Sequence, residues 1–319
     1  MSGEGRLMIG TITLNPAIDK RYVVESVCFG QVNRVKSCCC TAGGKGLNVS
    51  RVARIAGEEV TAAGFAGGYA GAYILHELEV SGIRPLFVQT GGESRSCINL
   101  YDEKTGTQTE LLEPGDLVTE SEQEQLLRYV EQMAADCRVL VISGSSPYGI
   151  APDYYRKLVH VGKQHGAKVL VDTNGEGLRE SLKAGPFLIK PNRDELESLA
   201  RRTLKTEEQL IREAIHLYEK GAECAVVSLG KEGSLIVCSQ GVLRVRVPQV
   251  SAVNSVGCGD SMIAGFAVGI NRGYDWGHMI RYAAAVSVAN AMQEQTGFID
   301  LEDVERLMPE IVVSTEIKF

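Results

Sequence analysis

The chain has 319 residues, 44% of them apolar and 23% charged, enough to build a large α/β domain with a sizeable core. A formal charge of −7 argues against a general nucleic-acid role, which needs basic stripes to neutralise phosphate. No apolar run approaches the roughly 20 residues of a membrane span, and the N-terminus lacks the charged-then-apolar pattern of a secretion signal, so a cytoplasmic protein acting on a small molecule is expected.

Along the chain, short β-rich runs alternate with helical patterns. Strands are predicted at LMIGTITL (7–14), VTAAGF (60–65), RVLVISG (138–144), KVLVDT (168–173), PFLIK (186–190) and CAVVSLG (224–230). Between them, GLNVSRVARIAG (46–57), SEQEQLLRYVEQMAADC (121–137), PDYYRKLVHVGKQHG (152–166) and EEQLIREAIHLYEKG (207–221) repeat apolar residues at three and four. Continuous apolar strands with helices between them predict an α/β fold, a mostly parallel sheet covered by helices on both faces. Two segments break the rhythm: YVVESVCFGQVNRVKSCCC (22–40) and SRSCINLYDEKTGTQTELLE (94–113) read as short strands joined by turns. They predict a small β-sheet lid, at about 21–41 and 93–113, inserted in a single domain of 1–319. An uncovered lid edge also suits a homodimer contact.

Nine cysteines without a CxxC pair read as reduced thiols, and Cys38, Cys39 and Cys40 alternate faces along a strand, a poor metal cage. None of the five histidines has the HExxH spacing of a zinc hydrolase.

Most notable polar residues fall just after a strand, where open parallel sheets bind ligands: Asn15, Asp19, Asp172, Asn192, Ser228 and Gly230. TLNPAIDK (13–20) offers Asn15 and Asp19 to sugar hydroxyls from a turn. AGGKGLNVSR (42–51) sets Gly43, Gly44 and Gly46 around Lys45 ahead of a helix, so backbone donors, a cation and the Asn48 amide could converge on an anion. It has neither Walker A nor GxGxxG spacing, and a capped helix with one solvated lysine is the structural alternative. In KPNRDELE (190–197), Asn192 and Glu195 lie three apart on one helix face, where their oxygens could hold the waters of Mg²⁺ or simply start an acidic helix. SLGKEGSL (228–235) reads as strand, tight turn, strand, with Gly230 and Gly233 allowing close approach to a planar or phosphate ligand, or as a plain hairpin.

The most informative run is VNSVGCGDSMIAGF (253–266). Gly257, Cys258 and Gly259 leave backbone N–H groups open at a helix start, where dipoles and unsatisfied donors favour an anion. Asp260 stands beside that hole, a placement that suits a base taking a proton from an attacking hydroxyl. A glycine turn with an acidic cap is the bland alternative.

Together AGGKGLNVSRVARIAG, DTNG (172–175), KPNRDELE, SLGKEG and NSVGCGDSMIAGF resemble the ribokinase-like (PfkB) carbohydrate kinases over essentially the whole chain. TLNPAID with GGKGLNVSR is similar to the branch holding 1-phosphofructokinase, tagatose-6-phosphate kinase and the minor type of 6-phosphofructokinase. The resemblance implies a lidded α/β kinase that dimerises lid to lid and uses Mg-ATP. It implies Asp260 as catalytic base, with Gly257, Cys258 and Gly259 as the anion hole, although the family usually carries alanine where Cys258 stands. Asn192 and Glu195 match the pair that organises Mg²⁺; Lys190, Ser228, Gly230 and Gly233 match nucleotide contacts. Asp19, Gly44, Lys45, Asn48 and Arg95 match the acceptor side, with Lys45 and Arg95 holding a phosphate already on the sugar. The lid run SRSCINL and the neighbouring TELLEPG resemble tagatose-6-phosphate kinases, with fructose 1-phosphate as the alternative acceptor. A sugar-phosphate-binding regulator without turnover is the alternative of another class.

Overall fold

The computed structural model describes residues 8–318. The chain opens with β1 (Met8–Thr13), crosses into the lid as β2 (Ala17–Val24) and β3 (Ser37–Gly43), and returns through α1 (Lys45–Ile55), β4 (Glu59–Gly67), α2 (Gly68–Val80) and β5 (Arg84–Thr90). A second excursion makes β6 (Arg95–Asp102) and β7 (Thr107–Leu112). Then follow α3 (Glu120–Asp136), β8 (Cys137–Ser143), α4 (Asp153–Gln164), β9 (Lys168–Asp172), α5 (Gly175–Leu182), β10 (Leu188–Ile189), α6 (Arg193–Ala200) and α7 (Glu207–Glu219). The C-terminal part holds β11 (Cys224–Ser228), β12 (Ser234–Cys238), β13 (Gly241–Arg246), α8 (Cys258–Asn271), α9 (Trp276–Ala291), α10 (Leu301–Leu307) and β14 (Val312–Ile317).

Ten strands form the main sheet in the order β14-β13-β12-β11-β10-β9-β8-β1-β4-β5. From β11 to β5 neighbouring strands run parallel; β12, β13 and β14 extend the sheet antiparallel. Strand side chains alternate between two apolar layers, as in β8, where Val139 and Val141 face one layer and Leu140 and Ile142 the other. The first layer carries α1, α2, α8, α9 and α10, the second α3 to α7. This is the expected mostly parallel α/β sheet with helices on both faces, and it explains why the strand sequences are apolar at every position. Helix α8 is buried almost all round because α1 and α9 flank it against the sheet, so its sequence shows no polar stripe.

The lid is a separate sheet, β3-β2-β6-β7, with β2 and β6 parallel and the outer pairs antiparallel. Its first strand starts at Ala17, ahead of position 21, because β2 continues from β1 after a short turn. The run 103–106 is the expected turn between β6 and β7, closed by the Asp102 carboxylate, which accepts from the N–H groups of Thr105 (3.0 Å) and Val27 (2.8 Å). PFLIK shrinks to the pair Leu188–Ile189 because Pro186 and Pro191, which lack a ladder donor, bracket it. Leu7 of the expected first strand, like the rest of residues 1–7, lies outside the described residues.

β1 meets β4 on one side and β8 on the other, so the chain winds outward in opposite directions from the β1–β8 pair. Such a reversal opens a crevice at the strand carboxyl ends. Here the lid stands over it.

Candidate active site

A cleft of about 870 Å³ occupies this crevice, within the usual range for small-molecule sites. Its floor is made by residues just past the strands: Asn15 after β1, Ser145 after β8, Thr173 and Asn174 after β9, Lys190 and Asn192 after β10. Its roof is the lid.

At the centre lies the start of α8. Gly257 caps the helix at φ 82°, a left-handed conformation for which glycine has no steric penalty. An added Cβ there would also lie 2.6 Å from the Thr296 methyl. The Cys258 N–H reaches the Ser255 carbonyl only at 3.5 Å, the outer limit of a hydrogen bond, so the first turn retains donor capacity toward the cleft. The Cys258 thiol instead meets the Asn290 amide at 3.5 Å, and burial raises its pKa to about 11, leaving it a neutral packing group.

Asp260, 6% exposed, accepts from the Asn48 amide at 2.8 Å. Arg51 donates to the Asn48 carbonyl oxygen at 3.1 Å, which fixes the amide so that its N–H₂ faces the carboxylate. Burial drives the Asp260 pKa up to about 6; Lys45 opposes the rise and Asp172 adds to it. The result is a carboxylate basic enough to accept a proton and still ionised at neutral pH.

Below it, Asp172 pairs with Lys190 (3.3 Å) and Lys45 (3.5 Å), and Lys45 also reaches Glu195 (3.6 Å). Burial pushes the Asp172 carboxyl up, but the two ammonium groups outweigh it and hold the pKa below the usual range, while Asp172 in turn raises that of Lys45. The Asn192–Glu195 pair forms a complete capping box on α6: the Glu195 N–H donates to Asn192 Oδ1 (2.8 Å) and the Asn192 N–H to Glu195 Oε2 (2.9 Å). The helix-start alternative accounts for Asn192 Oδ1, while Asn192 still lines the cleft and Glu195 Oε1 turns toward Lys45.

On the lid side, Asp19 is half-buried with the Gly44 N–H beside it, and burial lifts its pKa to about 6. A Cβ on Gly43 would sit 2.0 Å from the Asp19 carboxylate, so any other residue there would displace that carboxylate. Arg95 donates to the Asn15 carbonyl from Nε (3.2 Å) and Nη2 (3.1 Å), and to the Glu113 carbonyl from Nη1 (2.9 Å). Lys45 and Arg95 both line the cleft; Lys45 pairs with Asp172 and Glu195, and Arg95 ties the lid to the loop after β1.

The opposite end of the cleft is lined by Val247, Pro248, Val250, Val256, Met262, Val288 and Ala291, an apolar slot for a planar ring. Ser228, Gly230 and Gly233 border it, Gly230 at φ 57° with open space around it. Gly233 is structural, since a Cβ would lie 2.0 Å from the Val245 carbonyl. All the residues expected at the site line this cleft except Glu195, which reaches it through Lys45. Asp172 received no role from the sequence, although its position after β9 was the available signal; Asn254 and Thr296, joined at 3.3 Å behind the anion hole, gave none.

Residues 8–303 match the pfkB family carbohydrate kinases. The chain belongs to that family. A tagatose-6-phosphate kinase of Staphylococcus epidermidis is 37% identical over 309 residues, 96% of this chain and 99% of the relative. Phosphofructokinase-2 of Escherichia coli in complex with fructose-6-phosphate superposes with a TM-score of 0.87 at 28% identity, over 95% of this chain and 98% of that one; the same protein also occurs in a tetrameric inhibited form. A Thermotoga maritima protein described as a possible 1-phosphofructokinase gives a TM-score of 0.87 at 27% identity, covering 96% and 99%. As a pfkB carbohydrate kinase, the chain is an ATP-dependent sugar phosphotransferase. No helix among the described residues is long and apolar enough to cross a membrane.

Proposed function

We propose that this kinase converts tagatose 6-phosphate to tagatose 1,6-bisphosphate in the cytoplasm. The supporting observation is the buried Asp260, poised between the lid side and the apolar slot at the N-terminus of α8 and oriented by Asn48. In this reading the acceptor lies under the lid against Asp19 and Asn48, and the nucleotide base fills the slot. Asp260 takes the proton from the sugar C1 hydroxyl as its oxygen bonds to the γ-phosphorus and the bond to the β-phosphate oxygen breaks, releasing ADP. The N–H groups of Gly257, Cys258 and Gly259 stabilise charge on the equatorial oxygens. Lys45, steadied by Asp172 and Glu195, and Arg95 would hold the phosphate already on the sugar.

Among the described residues no cluster of three metal-ligating groups occurs. Mg²⁺ takes one or two protein carboxylates and keeps waters and phosphate oxygens for the rest. Bound with ATP, Mg²⁺ would neutralise phosphate charge, and Asn192 and Glu195 would hold its waters. The protein is expected to work as a homodimer through its lid.

The choice of sugar rests on the similarity to the S. epidermidis enzyme; likeness to the T. maritima protein makes fructose 1-phosphate the second acceptor to test. ADP release with Mg-ATP should be greatest on tagatose 6-phosphate, compared with fructose 1-phosphate, fructose 6-phosphate and unphosphorylated tagatose. Binding of sugar phosphate without turnover would overturn the reading in favour of a regulator, and turnover confined to the unphosphorylated sugar would overturn the phosphorylated acceptor.

A further inference from the structure

Arg51 lies on α1 one turn beyond Asn48, buried behind the cleft rather than lining it. Its hydrogen bonds run to three oxygens on three separate parts of the chain. Nη1 donates to Asn48 Oδ1 (3.1 Å) and to the Thr296 carbonyl (3.2 Å), and Nη2 donates to the Ala42 carbonyl. The guanidinium carbon stands 5.2 Å from the centroid of the Phe298 ring, which fixes the plane of the fork. All three bonded oxygens are neutral, so no carboxylate among these partners offsets the cost of burying the charge. What the arginine supplies there is direction. A guanidinium has donors and no acceptor, so it can meet the Asn48 side chain only at its oxygen. The exchanged orientation of that amide would set its N–H₂ against Arg51 and its oxygen against the Asp260 carboxylate, two repulsive contacts at once.

The other two oxygens connect this pair to the rest of the site. Ala42, opposite Ile18 in the lid sheet, lies at the root of β3. The Thr296 carbonyl and the Gly297 N–H belong to one peptide group; Arg51 holds the first, and Asn290 Oδ1 accepts from the second at 2.9 Å. Asn290, fully buried on α9, also accepts from the Ser261 hydroxyl (2.9 Å) and donates to the Val256 carbonyl (3.0 Å), so it grips the start of α8 on either side of Gly257. A Cβ on Gly297 would lie 2.9 Å from Arg51 Nη1 and 3.1 Å from Asn48 Cα, which shows how closely this peptide packs on the pair.

We infer that Arg51 is a positioning residue for phosphoryl transfer: it aims the Asn48 amide at Asp260 and ties that amide to the root of the lid and, through the Thr296–Gly297 peptide and Asn290, to the turn that starts α8. The inference rests on the reading of Asp260 as the base and adds the residue that keeps the base and that turn in one geometry.

Steady-state kinetics of Arg51→Met and Arg51→Lys, each also built into Asn48→Ala and each checked by thermal midpoint, would test it. Misalignment without loss of binding predicts a kcat about 10- to 100-fold lower in Arg51→Met, with the KM for ATP nearly unchanged and a smaller loss in Arg51→Lys. Because Arg51 acts through Asn48, adding Arg51→Met to Asn48→Ala should lower kcat by less than about threefold more. The acid limb of kcat should also move to higher pH in Arg51→Met, since a freed amide no longer donates steadily to the carboxylate. Lys45, Asp172, Lys190 and the Cys258 thiol face Asp260 as well and are left in place, and Arg51 also lowers the pKa of Asp19; the limb is therefore read in kcat, which reports the enzyme–substrate complex. An unchanged kcat in folded Arg51→Met overturns the inference, as does an equal loss in both backgrounds or a limb that stays in place. A measurement on the unaltered protein guards against variants that fail to fold: the NMR signal of the Asn48 side-chain amide, assigned by its absence in Asn48→Ala. It should exchange slowly and shift as Asp260 titrates near pH 6; a fast-exchanging amide that ignores this titration overturns the inference. Near-normal kcat in Asp260→Asn would overturn the base reading and this inference with it, a result distinct from inactive Asp260→Asn beside an indifferent Arg51→Met.

Discussion

Asp260 shows how burial rather than a partner sets a residue's chemistry. Its carboxyl loses water and is pushed to about 6, and Asp19 is raised to about 6 by the same cause. For kinetics, in the proposed role the active base is the ionised form, so kcat/KM should fall as pH drops through about 6, and a pH–rate profile of the free enzyme would report it. For stability the sign reverses. A folded-state pKa above the unfolded one means the folded protein binds protons more tightly, so the contribution is present below about pH 4 and lost as pH rises through about 6. Asp260→Asn should therefore lower kcat by at least roughly 10²-fold while stabilising the fold at pH 8 by on the order of 2 kcal/mol, seen as a higher thermal midpoint. A variant that is both inactive and less stable would contradict this account of the site. The motif around Asp260 was legible in the sequence because its turn, helix start and acid are contiguous. The partners of Lys45 were not, because Asp172 and Glu195, each at a marked position of its own, are far away along the chain and nothing local pairs them with Lys45.

At the scale of the element, helix starts and a strand turn carry the site. The α6 capping box engages the Asn192 carbonyl oxygen, so Asn192→Ala should cost about 1 kcal/mol in urea unfolding, whereas Asn192→Ser, another good cap, should be close to neutral. The apparent Mg²⁺ requirement should be raised in Asn192→Ala and in Glu195→Gln; an unchanged requirement in both would remove the pair from the metal. On the lid, Gly43→Ala would force the Asp19 carboxylate aside, since the new methyl would lie 2.0 Å from it. Its acceptor KM should rise at least roughly tenfold while nucleotide binding, measured by titration with ADP, stays unchanged. The strand–turn–strand reading of SLGKEGSL matches β11, its tight turn and β12, because glycine spacing is a local signal. The β10 strand was overestimated because apolar character alone does not reveal that Pro186 and Pro191 bracket it.

For the whole molecule, the lid is the element least covered by its own chain. Phe29 is 94% and Val32 87% exposed in the segment between β2 and β3, although both are apolar. If that segment meets a second lid, Phe29→Glu combined with Val32→Glu should shift sedimentation velocity from dimer to monomer while far-UV circular dichroism stays unchanged. A dimer that persists would place the contact elsewhere.

The sequence by itself determined the layered α/β class, the order of motifs and the location of the glycine turn that starts α8, the proposed phosphoryl-transfer centre. Each is encoded in contiguous residues whose period, glycine placement or helix-start chemistry acts within a few positions. Only the tertiary structure decided which charges face each other. It drew Lys45 to Asp172 and Glu195, tied Arg95 to two carbonyls, and turned Arg51 onto the Thr296 carbonyl. Those pairings join strands and loops far apart along the chain through the reversal between β1 and β8 and the register of the lid, and electrostatic choice among equivalent cations is made by that geometry.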